Sequence, residues 1–144
     1  MASSVKISVL DLMPHRSDQS QHQTMLNTID AARAAESFGY ERFWVAEHHN
    51  AGSLLSSATV VVMAEVAAAT ERIRVGSGGI MLPNHSPYVV AEQFGTLNAF
   101  HPGRIDLGLG RAGHRPHDRS RAAPRRLSRD ELPRRGPAAA AFPG

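Results

Sequence analysis

Four consecutive polar side chains, Glu47, His48, His49 and Asn50, directly follow the short apolar segment 43–46. That segment is too short for a helix and rich in β-favouring residues, so it predicts a buried strand. In parallel α/β proteins, catalytic and ligand-binding groups collect at the carboxyl ends of the strands. Because an imidazole titrates near neutral pH, the cluster is a candidate for proton transfer. The alternative is a polar loop with two solvated histidines.

The elements that would position this cluster repeat along the chain. Strand-like segments begin near residues 6, 42, 73 and 104, the last running over 104–111, and each interval holds one helix-like segment. A repeated βα unit requires parallel strands and right-handed crossovers. The pattern predicts an α/β fold, either an open doubly wound sheet or the first four βα units of a (β/α)8 TIM-type barrel. A whole barrel takes about 250 residues, so this chain could hold half of one.

Local signals delimit the helices. In the first, Met25, Ile29 and Ala32 follow the i, i+4, i+7 spacing of a buried stripe. Gly39 suits the C′ position at which that helix stops. The second helix, residues 58–69, is apolar almost all round and should be heavily packed.

Composition excludes several classes of protein. The chain has no cysteine, so neither a disulfide framework nor a thiolate metal site is available. The eight histidines show no ligand spacing with acidic partners, so we expect no metal site and interpret His85 and His101 as structural or solvated. No segment reaches the roughly 20 apolar residues of a membrane span, and the first residues do not form a signal peptide. A cytoplasmic protein is the expectation.

The charge divides the chain into two kinds of sequence. Residues 1–112 hold 8 Lys/Arg and 10 Asp/Glu, a net of −2, whereas residues 113–144 hold 8 Arg and 3 Asp/Glu, a net of +5. The body therefore gives no electrostatic reason to expect nucleic acid. Of the last 32 residues, 22 are Gly, Ala, Arg or Pro, so we predict a disordered basic tail after a domain at 1–112.

Three motifs in order resemble the luciferase-like flavin-dependent monooxygenases, relatives of the bacterial luciferase alpha subunit. They are Glu-His-His-Asn at 47–50, Gly-Ser-Gly-Gly-Ile-Met-Leu-Pro at 76–83, and Gly-Arg-Ile-Asp-Leu-Gly-Leu-Gly-Arg at 103–111. The resemblance implies a (β/α)8 barrel that binds reduced FMN at the strand carboxyl ends and uses O2 to oxidise an organic substrate such as an aldehyde. It also implies a flavin reductase as the source of FMNH2, and a homo- or hetero-dimer. F420-dependent hydride transfer on the same barrel, and a non-catalytic partner-binding fragment, are the alternatives.

The resemblance assigns roles to the polar cluster by position. His48 resembles the family's active-site histidine beside the flavin ring. Glu47 would orient that imidazole or line the pocket, and so belongs to the cofactor-binding set. His49 should point to the opposite face, because neighbouring side chains alternate along a strand.

Two glycine motifs complete the site that the resemblance implies. Gly78 and Gly79 correspond to a flavin-supporting bulge with a cis non-prolyl peptide, and glycines let a backbone approach a planar ring closely. Gly110 and Arg111 correspond to the place of the flavin and its phosphate, for which a guanidinium is suited. The alternatives are a simple glycine turn and a solvated arginine.

The resemblance stops at Ala112, where the family would continue with four more βα units. The composition of residues 113–144 is what GC-rich DNA yields in a shifted reading frame. Residues 113–119 can be back-translated so that a one-base shift gives Gly-Thr-Asp-Pro-Met-Thr, which resembles the family's continuation. A genuine basic tail is the rival explanation. If the chain is a truncated half-barrel, we expect little or no activity from it alone.

Overall fold

A computed structural model describes residues 5–111, which form six strands and three helices. In chain order these are β1 (Ser8–Asp11), α1 (Gln21–Ser37), β2 (Arg42–Val45), α2 (Thr59–Ala68), β3 (Arg74–Ser77), β4 (Ile80–Met81), α3 (Pro87–Phe100), β5 (Ile105–Asp106) and β6 (Leu109–Gly110). A 3₁₀ turn, Leu82–Asn84, precedes α3. The chain divides into two units, Met1–Ala112 and Gly113–Gly144, and the predicted tail lies outside the described residues.

The main sheet contains four parallel strands in the order β1-β2-β3-β5, and β4 pairs with β6 in a second parallel sheet. The register of the main sheet places Leu10 beside Trp44, Trp44 beside Gly76, and Gly76 beside Asp106 on successive strands. Neighbouring strands follow chain order without the reversal that defines a doubly wound sheet. The described chain therefore has the strand order of consecutive βα units of a TIM-type barrel, as the resemblance implied.

One face of the main sheet packs against the helices. Phe43, Val45 and Val75 point to this face and are fully buried. Side chains from all three helices complete the core, among them Ala32, Ala35, Met63, Val66, Val90, Phe94 and Leu97. Burial of apolar surface, worth about 25 cal/mol per Å2, holds the helices to this face.

The other face of the sheet would be the interior of a closed barrel. It carries Leu10, whose surface is 54% exposed, and the half-buried Trp44. Asp106 accepts hydrogen bonds on this face from Arg74 Nε at 2.9 Å and Arg42 Nε at 3.0 Å. The hydrogen bond from Arg74 is the main reason why the pKa of Asp106 is lowered; desolvation opposes the shift and Arg42 reinforces it. Residues 5–111 leave this apolar and charged face open.

The buried stripe of α1 differs from the prediction. Met25 is exposed, whereas the buried positions are Thr24, Thr28, Ala32 and Ala35. Threonine can occupy this face because its hydroxyl is satisfied: Thr28 Oγ1 donates to Asp11 Oδ2 at 2.8 Å. The prediction from apolar spacing was wrong at Met25, since hydrogen bonding and not hydrophobicity selects Thr28.

The end of α1 is as predicted. Gly39 adopts a φ of +77° in the left-handed region, its N–H donates to Glu36 O, and the N–H of Tyr40 donates to Ala35 O. This is the hydrogen-bond pattern of a Schellman C-cap. Glu36 Oε1 then accepts the backbone N–H groups of residues 71, 72 and 73 at 3.0, 2.5 and 2.9 Å, which ties α1 to the segment before β3.

The strand predicted over 104–111 is divided in two. Ser77 Oγ donates to Gly108 O at 2.9 Å and accepts from Gly108 N at 3.0 Å, so a side chain interrupts the backbone ladder between β5 and β6. Beyond this point β6 turns to pair with β4. Within residues 5–111, no helix is long and apolar enough to cross a membrane.

Candidate functional site

Glu47 is the most buried polar group at the carboxyl end of β2, with 1% of its side chain exposed. Its Oε1 accepts hydrogen bonds from His49 Nε2 at 2.5 Å and His85 Nε2 at 2.7 Å, and its Oε2 accepts the N–H of Met81 at 2.8 Å. Burial by itself would raise the pKa of Glu47, but the bonds from His49, His85 and Met81 outweigh it and lower the pKa. Glu47 is therefore an ionised carboxylate that joins the end of β2 to the segment that holds β4 and the turn before α3.

His48 lies on the opposite side of the backbone from this cluster. Its ring is half-buried, and Nδ1 is 3.5 Å from Oγ of Ser56, which is fully buried. The N–H of His48 also donates to Ser56 O at 3.4 Å. A half-buried imidazole beside a hydroxyl can hold a proton at one nitrogen and exchange it at the other.

The expected contact between Glu47 and His48 is absent from the described structure. Glu47 and His49 share one side and His48 the other, as the alternation of side chains along extended backbone requires. Of the two roles expected for Glu47, orientation of His48 is therefore wrong, because Glu47 contacts His49 and His85 instead, whereas lining of the pocket stays a prediction. The predicted separation of His48 from His49 is confirmed.

The peptide bond between Gly78 and Gly79 is cis, as predicted from the resemblance. Packing within the chain also leaves little room beside either glycine, most strictly at Gly79, where the neighbouring atoms are backbone. A Cβ on Gly78 would lie 2.8 Å from Leu10 Cδ1, and one on Gly79 would lie 3.0 Å from the carbonyl oxygen of Gly108. Close approach between strands is therefore enough to explain glycine at position 79 without a bound ring.

Gly110 and Arg111 border an open cleft of about 450 Å3, whose other lining residues are Leu82, Pro83 and Leu109. Gly110 pairs with Met81 in the β4–β6 sheet, which fixes the position of the cleft beside the carboxyl end of β3. Aliphatic side chains next to a guanidinium offer an apolar surface for a planar ring and a charged donor group for a phosphate.

His85 is the residue that sequence reasoning missed. It follows the 3₁₀ turn, 38 positions after Glu47, and its Nε2 reaches Glu47 Oε1 only because β4 lies beside the end of β2. The signal available in the sequence was its place just after one of the three motifs, at a turn before a helix.

Comparison with known proteins identifies the family. The sequence model of the luciferase-like monooxygenases matches residues 5–133, so the similarity runs past Ala112, where the three motifs had placed its end. The chain belongs to the luciferase-like monooxygenase family.

Relatives in this family are similar over the region that holds the candidate site. A luciferase-like monooxygenase of Escherichia coli (strain K12) is 54% identical over 108 residues, which are 75% of this chain and 32% of the relative. An N-acetyl-S-alkylcysteine monooxygenase of Bacillus subtilis (strain 168) is 46% identical, again over 75% of this chain and 32% of the relative. The chain thus spans about a third of the length of the curated relatives it matches.

Solved structures agree in fold. The crystal structure of apo-MsnO8 is 45% identical, with a TM-score of 0.74, over 78% of this chain and 35% of that one. The FMN complex of the oxygenating constituent of a 3,6-diketocamphane monooxygenase from Pseudomonas putida has a TM-score of 0.68 at 24% identity, covering 77% of this chain and 30% of that one. An F420-dependent secondary alcohol dehydrogenase has a TM-score of 0.60 at 21% identity, covering 75% of this chain and 32% of that one. The last two likenesses concern the fold alone.

Proposed function

We propose that this chain carries part of the active site of a flavin-dependent monooxygenase, which uses reduced FMN and O2 to oxidise a small organic substrate in the cytoplasm. The observation that carries the proposal is the half-buried His48, which lies with the Gly78–Gly79 pair at the carboxyl ends of the parallel strands β2 and β3. When bound, reduced flavin supplies the electrons with which oxygen is activated. A flavin reductase would deliver it.

Different residues of the chain would bind the cofactor and transfer protons. Arg111 would pair with the phosphate, and the backbone at Gly78, Gly79 and Gly110 would lie against the ring. His48 would exchange a proton with the reacting group, with the Ser56 hydroxyl beside Nδ1 keeping the imidazole in place. These roles follow the family resemblance and the shared edge of the sheet.

Reduced FMN is proposed ahead of F420 because the relatives above 40% identity include named monooxygenases, whereas the F420-dependent dehydrogenase is 21% identical. An aldehyde is one candidate substrate class. A thioether is another, because one relative is named an N-acetyl-S-alkylcysteine monooxygenase. Substrate panels should include both classes, and absorbance of a co-purified cofactor separates FMN from F420.

Arg111 provides the direct test of cofactor binding. FMN is titrated into the purified 144-residue chain and binding is followed by quenching of flavin fluorescence. Arg111→Ala should weaken binding about tenfold, since a charge-assisted hydrogen bond is worth about 1.5 kcal/mol. The control is Arg72→Ala, whose side chain is 72% exposed before β3. Equal affinities for the Arg111 variant and the control would contradict the assigned phosphate site.

We also propose that the 144-residue chain alone turns over little substrate, because residues 5–111 leave the face that carries Leu10 and Trp44 open to solvent. Oxygen consumption with a reductase and NADH measures this. Where turnover is detectable, His48→Ala should abolish it while FMN affinity stays within about twofold. Concentration-dependent association of the purified chain without flavin uptake would favour the non-catalytic, partner-binding alternative.

A further inference from the structure

Three groups that can bind a metal ion meet beside the proposed flavin site. They are one carboxylate oxygen of Glu47 and ring nitrogens of His49 and His85, and these atoms all lie within 4.8 Å of one another. Glu47 comes from the end of β2, His49 from the loop that follows, and His85 from the turn before α3. The fold thus assembles the cluster from two segments that are distant in sequence.

The buried carboxylate of Glu47 is paired with two histidines and with no arginine or lysine among residues 5–111. A buried carboxylate is expected to have a compensating positive group. Asp106 has two arginines for this purpose. Among residues 5–111, the groups within 4.0 Å of the Glu47 carboxylate that can carry positive charge are His49 and His85, and no lysine or arginine is among them. A cation held between the carboxylate and two neutral imidazoles would supply a compensating positive charge.

The donor set matches a particular class of metal. Two imidazole nitrogens and one carboxylate oxygen are the protein ligands of a familiar type of zinc site that keeps a position open. Imidazole suits Zn2+ and its neighbours in the first transition series, whereas Mg2+ and Ca2+ prefer oxygen ligands. The N–H of Met81, which donates to Glu47 Oε2, would hold the carboxylate in place as an outer partner.

We propose that Glu47, His49 and His85 bind a divalent transition-metal ion of the zinc class. Glu47 Oε1 and Nε2 of each imidazole are the ligand atoms, and the ion takes the place of the two hydrogen bonds that Oε1 accepts from the rings. Each imidazole binds in its neutral form, so its proton moves to Nδ1. The proposal replaces the expectation from the sequence that the chain has no metal site, and it stands independently of the flavin chemistry.

The test uses the untagged 144-residue chain, freed of metal with a chelator and then titrated with Co2+, whose visible absorption reports coordination. Competition with a chromophoric chelator gives the affinity for Zn2+. His49→Ala and His85→Ala are the diagnostic variants; both side chains are partly exposed, at 41% and 33%, so the fold should tolerate them. Far-UV circular dichroism confirms folding. Two controls are His22→Ala, at an exposed position of α1, and His114→Ala/His117→Ala.

The chain and both controls should bind one equivalent of metal. Each diagnostic variant should weaken Zn2+ binding by more than about 100-fold, because loss of a group that only orients a ligand already costs about 10–100-fold. The proposal is overturned if the chain shows no Co2+ absorption at tenfold excess. It is also overturned if His49→Ala and His85→Ala bind as well as the chain, or if binding is lost in the His114→Ala/His117→Ala control.

Discussion

Replacement of Gly79 by alanine distinguishes packing between strands from cofactor binding as the reason for the glycine pair. A Cβ at position 79 would lie 3.0 Å from Gly108 O and 3.0 Å from the carbonyl carbon of Leu109. Ordinary contacts of such an atom begin at 3.4 Å, so the two backbones must move apart by several tenths of an ångström. The hydrogen bond from Ile80 N to Gly108 O, now 2.8 Å, lies directly in this contact.

The cost follows from these contacts. Over-packing in a close-packed region typically costs about 1–3 kcal/mol, and a weakened backbone hydrogen bond adds about 0.5–1 kcal/mol. We therefore expect Gly79→Ala to lower the free energy of unfolding by about 2 kcal/mol without any flavin. The matched control is Gly95→Ala: an added Cβ there meets no atom within 4 Å, and position 95 lies inside α3. That change should stabilise the chain by about 0.5–1 kcal/mol.

Both variants can be measured by urea unfolding, followed by the fluorescence of Trp44, the single tryptophan. An equal urea midpoint for Gly79→Ala and the unmodified chain would refute the packing account. The glycine at position 79 would then be explained by its cofactor role alone. A loss of stability that appears only when FMN is present would lead to the same conclusion.

Two further predictions concern carboxylates that join elements of the fold. Glu36→Ala should lower the free energy of unfolding by about 2–3 kcal/mol, because three backbone N–H groups lose a charged acceptor. Glu36→Gln should lose about half as much, and a urea midpoint unchanged in both would contradict this. Asp106→Asn should destabilise the chain most near neutral pH, because the folded-state pKa of Asp106 is lowered and its ionic contribution is present above the ordinary value of 3.8. The difference between Asp106→Asn and the unmodified chain should shrink as pH falls below about 4, and a pH-independent difference would contradict the assignment to Arg74.

The features predicted correctly from the sequence are those set by local chemistry. The parallel pairing of the strands follows from repeated βα spacing, and Gly39 ends α1 because a left-handed residue is needed there. The buried stripe of α1 was not predictable from hydrophobicity. Thr28 replaces Met25 on the buried face because Asp11, at the end of β1, offers it a hydrogen-bond acceptor. Such a pairing depends on contact between elements and leaves no periodic signal.

The candidate site likewise combines features that local sequence predicts with features that depend on contact between elements. Alternation along extended backbone is local, so it predicts correctly that His48 and His49 point to opposite sides. The partner of Glu47 is not local, because His85 reaches it only after β4 has docked beside the end of β2. The consequence is that the tripeptide of residues 47–49 presents its side chains to two different surroundings. Its middle residue faces Ser56, where we propose proton transfer, while its outer two residues, Glu47 and His49, face the cluster in which we propose a metal ion.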